Sequence, residues 1–399
     1  MNNLPIRPIL ISFWSPPAVR PQAILLGKMV PEWLRQGIEP VLVTLEREGK
    51  WDIGAPFYEL PHFTTNKYLR AVLPVYGAWT HKRYLERLFR SCEEIIKRHE
   101  INIVFSFSNP QASNILGAML KQRLGIKFVS HFSDPWTDNP YKNLSEKQDE
   151  LRQEKLVVMS SDRIIFVTEE LKNLVMKKYS PELLARTAVI PHSFDPADYA
   201  AQARETGTDT MVFSHIGAFY KERNPALLLQ AFQGLFAKKP DLRRRVKIRF
   251  IGGTNKYTGY SEEALQDEIN RYGLQEHVES VPPVNFRESL RLMTGADCLV
   301  VIDANFAGSP FLPSKVVDYA GSRKPIIGIT PEGSPTAQFL LGLGQAHFNY
   351  DQVGDLEKYL EKFIEGRLVP SINLDFLKQF EVKNTTQKLI TKFREALNG

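Results

Sequence analysis

Short runs of almost uninterrupted apolar residues recur along this chain, and a turn and a helical pattern follow most of them. This rhythm occurs twice, and no other feature of the sequence limits the possible folds as strongly. In the first half the runs are Ile9–Trp14, Pro40–Leu45, Ile101–Phe107, Phe128–Phe132, Arg163–Val167 and Ala188–Pro191. In the second they are Met211–Ile216, Val246–Ile251, Val278–Val281, Cys298–Ile302, Pro325–Ile329 and Ala346–Phe348. Strands that are apolar on both faces, alternating with helices, belong to parallel sheets covered on both sides. The stretch "DPADYAAQARETGTDT" at Asp195–Thr210 is poor in large aliphatics and reads as the linker. The expected fold class is α/β, two doubly wound Rossmann-like domains facing across a cleft. The first covers residues 1–195, the linker 196–210 and the second 211–384. A last helical pattern at 385–399 packs back onto the first domain. Ligands of such sheets bind outside the carboxyl ends of the strands.

The 399 residues suit two domains, and 43% apolar with 11% aromatic content excludes a disordered chain. No apolar run approaches the roughly 20 residues of a membrane-spanning helix. Ile9–Trp14 ends in Ser15-Pro16-Pro17, without a basic flank or small-residue cleavage site, and reads as a strand and not a signal peptide. Two distant cysteines, Cys92 and Cys298, argue for a reducing cytoplasm. The net charge of +6 and pI near 9.0 suit anionic partners such as nucleotides, phosphates or an acidic membrane surface. No basic block long enough to track nucleic acid occurs. The phosphate loop of the nucleoside triphosphatases, a complete Gly-x-Gly-x-x-Gly, metal-ligand spacings including Asp-x-Asp, and the Gly-x-Ser-x-Gly elbow are all missing. Kinases, dinucleotide dehydrogenases, zinc hydrolases and serine hydrolases are therefore disfavoured.

Two stretches carry chemistry. "PFLPSKVVDYAGSRKPIIGI", Pro310–Ile329, reads as a loop, a short helix from Ser314, a Gly321 stop and a buried strand. Lys315 and Asp318 share one helix face. They are either a surface ion pair or an anion-and-ribose site, with phosphate at the helix N-terminus and a diol one turn further along. "SHIGAFYKERNPALLLQAF", Ser214–Phe232, reads as a strand, a Gly217 turn that permits close backbone approach, a loop with Lys221 and Arg223, and a helix opened by Pro225 at its first position. It is a solvated basic loop or a second anion site.

These blocks, with "FIGG" at Phe250–Gly253 and Ala296-Asp297, resemble in content and order the C-terminal domain of family 4 glycosyltransferases of the GT-B fold. "FWSPPAVRPQAILLGKMVPEWLRQGIEPVLVT", "VSHFSDPWTDNPY" and "VIPHSFDP" in the first half are similar to that family's opening unit, Asp-Pro-Trp segment and inter-domain crossing. The resemblance implies a metal-independent transferase without cofactor, acting with retention at the anomeric carbon. A nucleotide-diphosphate sugar binds the second domain, and a saccharide or lipid-linked acceptor of surface polysaccharide or glycoconjugate synthesis binds the first. It places Arg223 on the diphosphate and Asp318 on the ribose, with Lys315 in a Pro-Ser-Lys variant of the motif; the turn, the loop and the helix start add Gly217, Lys221 and Ser314 as donor-binding candidates. Arg223 and Lys315 then stabilise the leaving group, His131 and Asp134 serve as catalytic candidates at a strand end, and Pro17, Arg20 and Trp136 lie on the acceptor side, Trp136 either stacking on a sugar or half-buried in the core. The chain departs from the family where Pro310 replaces the first acid of Glu-x7-Glu and Ala218 replaces a diphosphate arginine. Lys315 or Lys221 is the expected substitute cation.

Residues 66–100 interleave Lys67, Arg70, Lys82, Arg83, Arg87 and Arg90 with Leu69, Leu73, Trp79, Tyr84, Leu85, Leu88 and Phe89. This segment is either a peripheral contact with an anionic membrane or a helix with its apolar face in the core. His192 is expected to be structural. Two further readings stay open: an epimerase of the UDP-N-acetylglucosamine type with the same fold, and a non-catalytic nucleotide-binding homologue.

Overall fold

The structure, a computed structural model, describes residues 5–46, 52–60, 74–139, 147–199, 210–254 and 259–399. In the first half, strands β1 (Pro8–Trp14), β2 (Val41–Glu46), β3 (Phe57–Glu59), β4 (Ile103–Phe107), β5 (Lys127–Phe132), β6 (Arg163–Phe166) and β7 (Thr187–Val189) form one sheet in the order β3-β2-β1-β4-β5-β6-β7. Every pairing in it is parallel. In the second half, β8 (Met211–Ile216), β9 (Val246–Ile251), β10 (Val278–Val281), β11 (Cys298–Ile302), β12 (Ile326–Ile329) and β13 (Ala346–Phe348) form a second parallel sheet, ordered β10-β9-β8-β11-β12-β13. The central strands are buried along most of their length, as their unbroken apolar runs require.

Each sheet is covered on both faces. In the first unit one core holds Leu88, Phe128 and Phe166, and the other holds Trp33, Phe105 and Phe393. The C-terminal helix Val382–Asn398 supplies Phe393, which meets Trp33 edge-on at 5.4 Å and Phe105 at 5.5 Å. Arg163 Nε binds Glu395 at 3.1 Å on the same helix. The last helical pattern is thus an integral layer of the first unit, and the helix begins three residues before the expected 385.

The described chain divides into Met1–His192 with Val382–Gly399, and Ser193–Glu381. Residues 193–199, expected at the end of the first domain and in the linker, pack with the second unit. A turn at Pro196–Tyr199 sets the Tyr199 hydroxyl to donate to the Asp318 carbonyl at 2.9 Å. The remaining linker residues, 200–209, lie outside the described set.

Three local expectations change. Strand β3 is a short, half-buried edge strand with no apolar run to announce it. Pro225 is the N-cap of helix Ala226–Lys238 and not its first helical residue, and Asn224 Oδ1 accepts from Ala226 N–H at 3.1 Å. Gly321 is the last residue of helix Ser314–Gly321 and serves close packing, because a Cβ there would lie 2.6 Å from the Phe194 ring. The left-handed turn that follows falls on Arg323, at φ 57°.

The basic segment forms part of helix Pro74–Arg98. From residue 82 onward its apolar face is core: Tyr84, Leu88 and Phe89 are buried and Leu85 packs against them. Lys82, Arg83, Arg87 and Arg90 are exposed on the other side. Interleaved aromatics are therefore not a membrane face over this part, because the helix spends them on the sheet. Residues 66–73 and the side chains of residues 74–81 lie outside the described set.

Candidate functional site

In the second sheet the strand order turns at the neighbours β8 and β11, the switch point where parallel sheets of this kind admit ligands. Helix Ser314–Gly321 is pinned there by Tyr319, which is fully buried. The Ile216 N–H donates to its hydroxyl at 2.6 Å, and the hydroxyl donates to the Ile216 carbonyl at 3.2 Å. One turn earlier on the same helix face stands Lys315. Its Nζ lies 3.4 Å from His215 Nε2, over Gly217. Gly217 has φ +129°, and a Cβ there would sit 2.7 Å from Lys315 Nζ. The close approach expected at this glycine is thus taken up by the lysine of the neighbouring helix.

His215 was not singled out by its sequence. It is fully buried, stacked on Phe219 at 4.7 Å, and its Nδ1 donates to the Val300 carbonyl at 2.9 Å. A carbonyl only accepts, so the proton sits on Nδ1 and Nε2 presents a lone pair to Lys315. Burial, then Lys315 and Arg223, holds the imidazole well below its usual range and therefore neutral.

Arg223 closes a tight turn with Tyr220, each backbone N–H donating to the other's carbonyl at 2.9–3.0 Å. Its guanidinium lies 5.8 Å from the Tyr220 ring. Among the described residues its buried Nε and Nη2 have no hydrogen-bond partner. Lys221 and Glu222 are exposed at the tip of the turn. Burial, then the Arg223 charge, pushes the Lys315 ammonium well below the usual lysine range, and Asp303 opposes this. Neither Arg223 nor Lys315 forms an ion pair among the described residues; Asp303, buried just beyond β11, feels both charges without reaching salt-bridge distance. One Asp303 carboxylate oxygen, Oδ2, is itself unpartnered there. Two basic side chains whose charges act on one another, with no ion-pair partner, make a site that an anion would favour.

Of the remaining donor-side candidates, Ser314 opens the helix behind Pro313 with no side-chain cap below it. Asp318 is 5% exposed, and Tyr199 Oη lies 3.4 Å from its Oδ1. Gly217, Arg223, Lys315 and Asp318 are all carried by the β8 end, its following turn and this helix. Lys221 stands apart from the pair. Pro310, at the position of the missing acid, is buried.

In the first unit, His131 near the end of β5 is 5% exposed and stacked on Phe107 at 4.3 Å. Burial, with His192 adding to it, pushes it down to about 3. His192 is itself buried and pushed down to about 4 by burial and then by Lys28. Asp134 accepts from Asn109 Nδ2 at 2.5 Å and Ser133 Oγ at 3.3 Å, and burial raises its carboxyl. Trp136 is 2% exposed within the sheet core, which corrects the expectation that it lies on the acceptor side for a sugar to stack on. Pro17 is exposed, and Arg20 lies over the Trp14 ring at 4.8 Å.

Behind Asp134 lies a network that the sequence did not announce. Glu154, fully buried, accepts from Thr137 N–H at 3.0 Å, Thr137 Oγ1 at 2.8 Å and Tyr179 Oη at 2.8 Å, and pairs with Lys178 Nζ at 2.6 Å. Lys178 also reaches Asp138. The loop bearing Asp134 is thereby tied to helix Lys147–Ser160 and to the chain after helix Glu169–Met176.

Residues 24–198 match the model of Glycosyltransferase Family 4. The whole fold matches crystal structures of Anabaena HepE in complex with UDP and glucose (TM-score 0.69, 13% identity, 97% of this chain and 98% of that one) and of Burkholderia multivorans trehalose 6-phosphate synthase (TM-score 0.68, 12% identity, 98% and 96%). The chain has the GT-B fold and resembles the family 4 glycosyltransferases. Among curated proteins it is 27% identical over 181 residues to a D-inositol 3-phosphate glycosyltransferase of Streptomyces scabiei, covering 41% of each chain. It is 24% identical over 229 residues to D-inositol 3-phosphate glycosyltransferase 2 of Catenulispora acidiphila, covering 51% and 53%. The aligned part is thus about two fifths to one half of these relatives' length.

Proposed function

We propose that this chain is a glycosyltransferase that takes a sugar from a nucleotide-diphosphate donor bound by its second unit. The observation that carries the reading is the half-buried pair Arg223 and Lys315, neither of them in an ion pair among the described residues, at the switch point of the second sheet. As the glycosidic bond breaks, negative charge grows on the departing nucleotide diphosphate. Cations already fixed beside it stabilise that charge more in the transition state than in the ground state. The N–H groups at the start of helix Ser314–Gly321 add to this field. Asp318, one turn deeper, takes the ribose hydroxyls. The structure of HepE with UDP-glucose lends support, since a protein of this fold binds such a donor.

Metal independence, retention and a saccharide or lipid-linked acceptor in polysaccharide or glycoconjugate synthesis come from the family resemblance. A cytoplasmic location follows from cysteine usage. Among the described residues no helix is long and apolar enough to cross a membrane. Peripheral attachment to an anionic leaflet then rests on the exposed Lys82, Arg83, Arg87 and Arg90 alone. His131 and Asp134 serve the acceptor side.

A thermal-shift and turnover panel of UDP- and GDP-sugars tests the reading. One donor should raise the Tm and be hydrolysed or transferred, with or without EDTA. Arg223→Ala should then lower turnover by about 10²–10³. Epimerised product without acceptor would favour the epimerase, binding without turnover the non-catalytic homologue, and loss of activity in EDTA would end the metal-free mechanism.

A further inference from the structure

We propose that His215 is the positioning residue that converts Lys315 into the second diphosphate cation, replacing the one that Ala218 cannot supply. The inference rests on the donor-site reading above and names how that site is built.

Three observations converge on it. The Nδ1–H bond to Val300 leaves Nε2 as an acceptor facing Lys315 Nζ at 3.4 Å. The Phe219 ring, stacked at an interplanar angle of 14°, fixes the plane in which that lone pair points. Gly217 leaves space for the ammonium where any side chain would collide with it. A lysine is a flexible chain with several rotatable bonds, and next to Arg223 it would turn away if nothing held it. A neutral imidazole attracts the ammonium without cancelling its charge. A carboxylate in that position would neutralise it and remove the attraction for phosphate. This accounts for a histidine inside an otherwise apolar strand end. It also accounts for the choice between the two substitute cations, since Lys221 has no comparable seat and is exposed.

The test is a double-mutant cycle on UDP affinity, with GDP as a second probe. His215→Phe keeps the stacked shape and removes both ring nitrogens; Lys315→Met removes the ammonium. Each single variant should weaken UDP binding about tenfold, and the double variant should be no worse than Lys315→Met. Additive losses, or an unchanged affinity in His215→Phe, would overturn the proposal. His215→Gln, which keeps an acceptor near the position of Nε2, should recover part of the affinity; no recovery counts against it. Arg223→Ala is the control for the underlying reading: if it binds UDP like wild type, the donor site is misplaced. If it loses UDP while His215→Phe does not, only the role of His215 fails. Should His215→Phe not fold, ¹⁵N shifts of the wild-type ring decide. They should show the Nδ1-protonated form, with Nε2 shifting in Lys315→Met; the opposite tautomer or an unmoved Nε2 would contradict the proposal.

Discussion

The strand ends of the two units treat buried charge in opposite ways. In the first, buried charge is answered within the protein: Glu154 has four donors, Asp134 has two, and His131 and His192 stay neutral. In the second, Arg223 and Lys315 stand beside one another with a neutral histidine and a distant acid. A satisfied network holds a loop in place. An unsatisfied one holds free energy available to an incoming ligand of opposite sign. The comparison assigns scaffolding to the Glu154 cluster and diphosphate recognition to the Arg223–Lys315 pair.

The largest effect that would break this contrast is on stability. Glu154→Ala strips the acceptor from Thr137, Tyr179 and Lys178 and should cost about 3 kcal/mol or more, read from denaturant midpoints. A loss below about 1 kcal/mol would mean the network is not a latch.

Next in size is the pH dependence. His131 and His192 of the first unit have depressed folded values, near 3 and 4, against about 6.5 unfolded. Between those values the unfolded chain binds more protons, so stability rises with pH and falls on acidification. Each histidine should remove about 2 kcal/mol between pH 8 and pH 5. His131→Phe should flatten that slope by its share, and an unaltered slope would show that His131 is not buried neutral. In the second unit the depressed Lys315 has the same sign: stability should rise with pH from its lowered folded value up to the ordinary lysine range. Lys315→Met should abolish that rise.

A smaller effect sharpens the site itself. Asp318→Asn should weaken UDP binding about tenfold, the scale of one hydrogen bond to a charged group, and leave the Tm near wild type. Unchanged affinity would remove Asp318 from the ribose.

The sheets could be read from the sequence because parallel strands buried on both faces are largely apolar. β8 to β11 begin and end where the sequence places them, although β9 carries Lys247 and Arg249 and β10 carries Glu279. β3 lacked such a run and was missed. Helix Pro74–Arg98 shows the limit of composition, since the same mixture of aromatic and basic residues describes a membrane face and a core-facing helix. Both share the 3.6-residue period, and only the packing of Tyr84, Leu88 and Phe89 into the core separates them. At the candidate site, Arg223, Lys315 and Asp318 could be found because a cation beside a helix start has a local signature. His215 and Asp303 could not be assigned in the same way, because their importance comes from β8 and β11 being neighbours. Yet an ionisable residue within or just after an apolar strand was visible in both cases and is the signal to follow. Trp136 could be read either way, as an aromatic beside a candidate acid, and its place in the core decides for packing.

The central claim is that Lys315 is held at a cost to the fold so that it can meet an anion. Its most direct measurement is the Tm of Lys315→Met with and without UDP. The account predicts that the variant melts higher than wild type without nucleotide, by the equivalent of about 1–3 kcal/mol, and that UDP raises its Tm by less than it raises that of wild type. A variant that melts lower while keeping the full UDP response would contradict it.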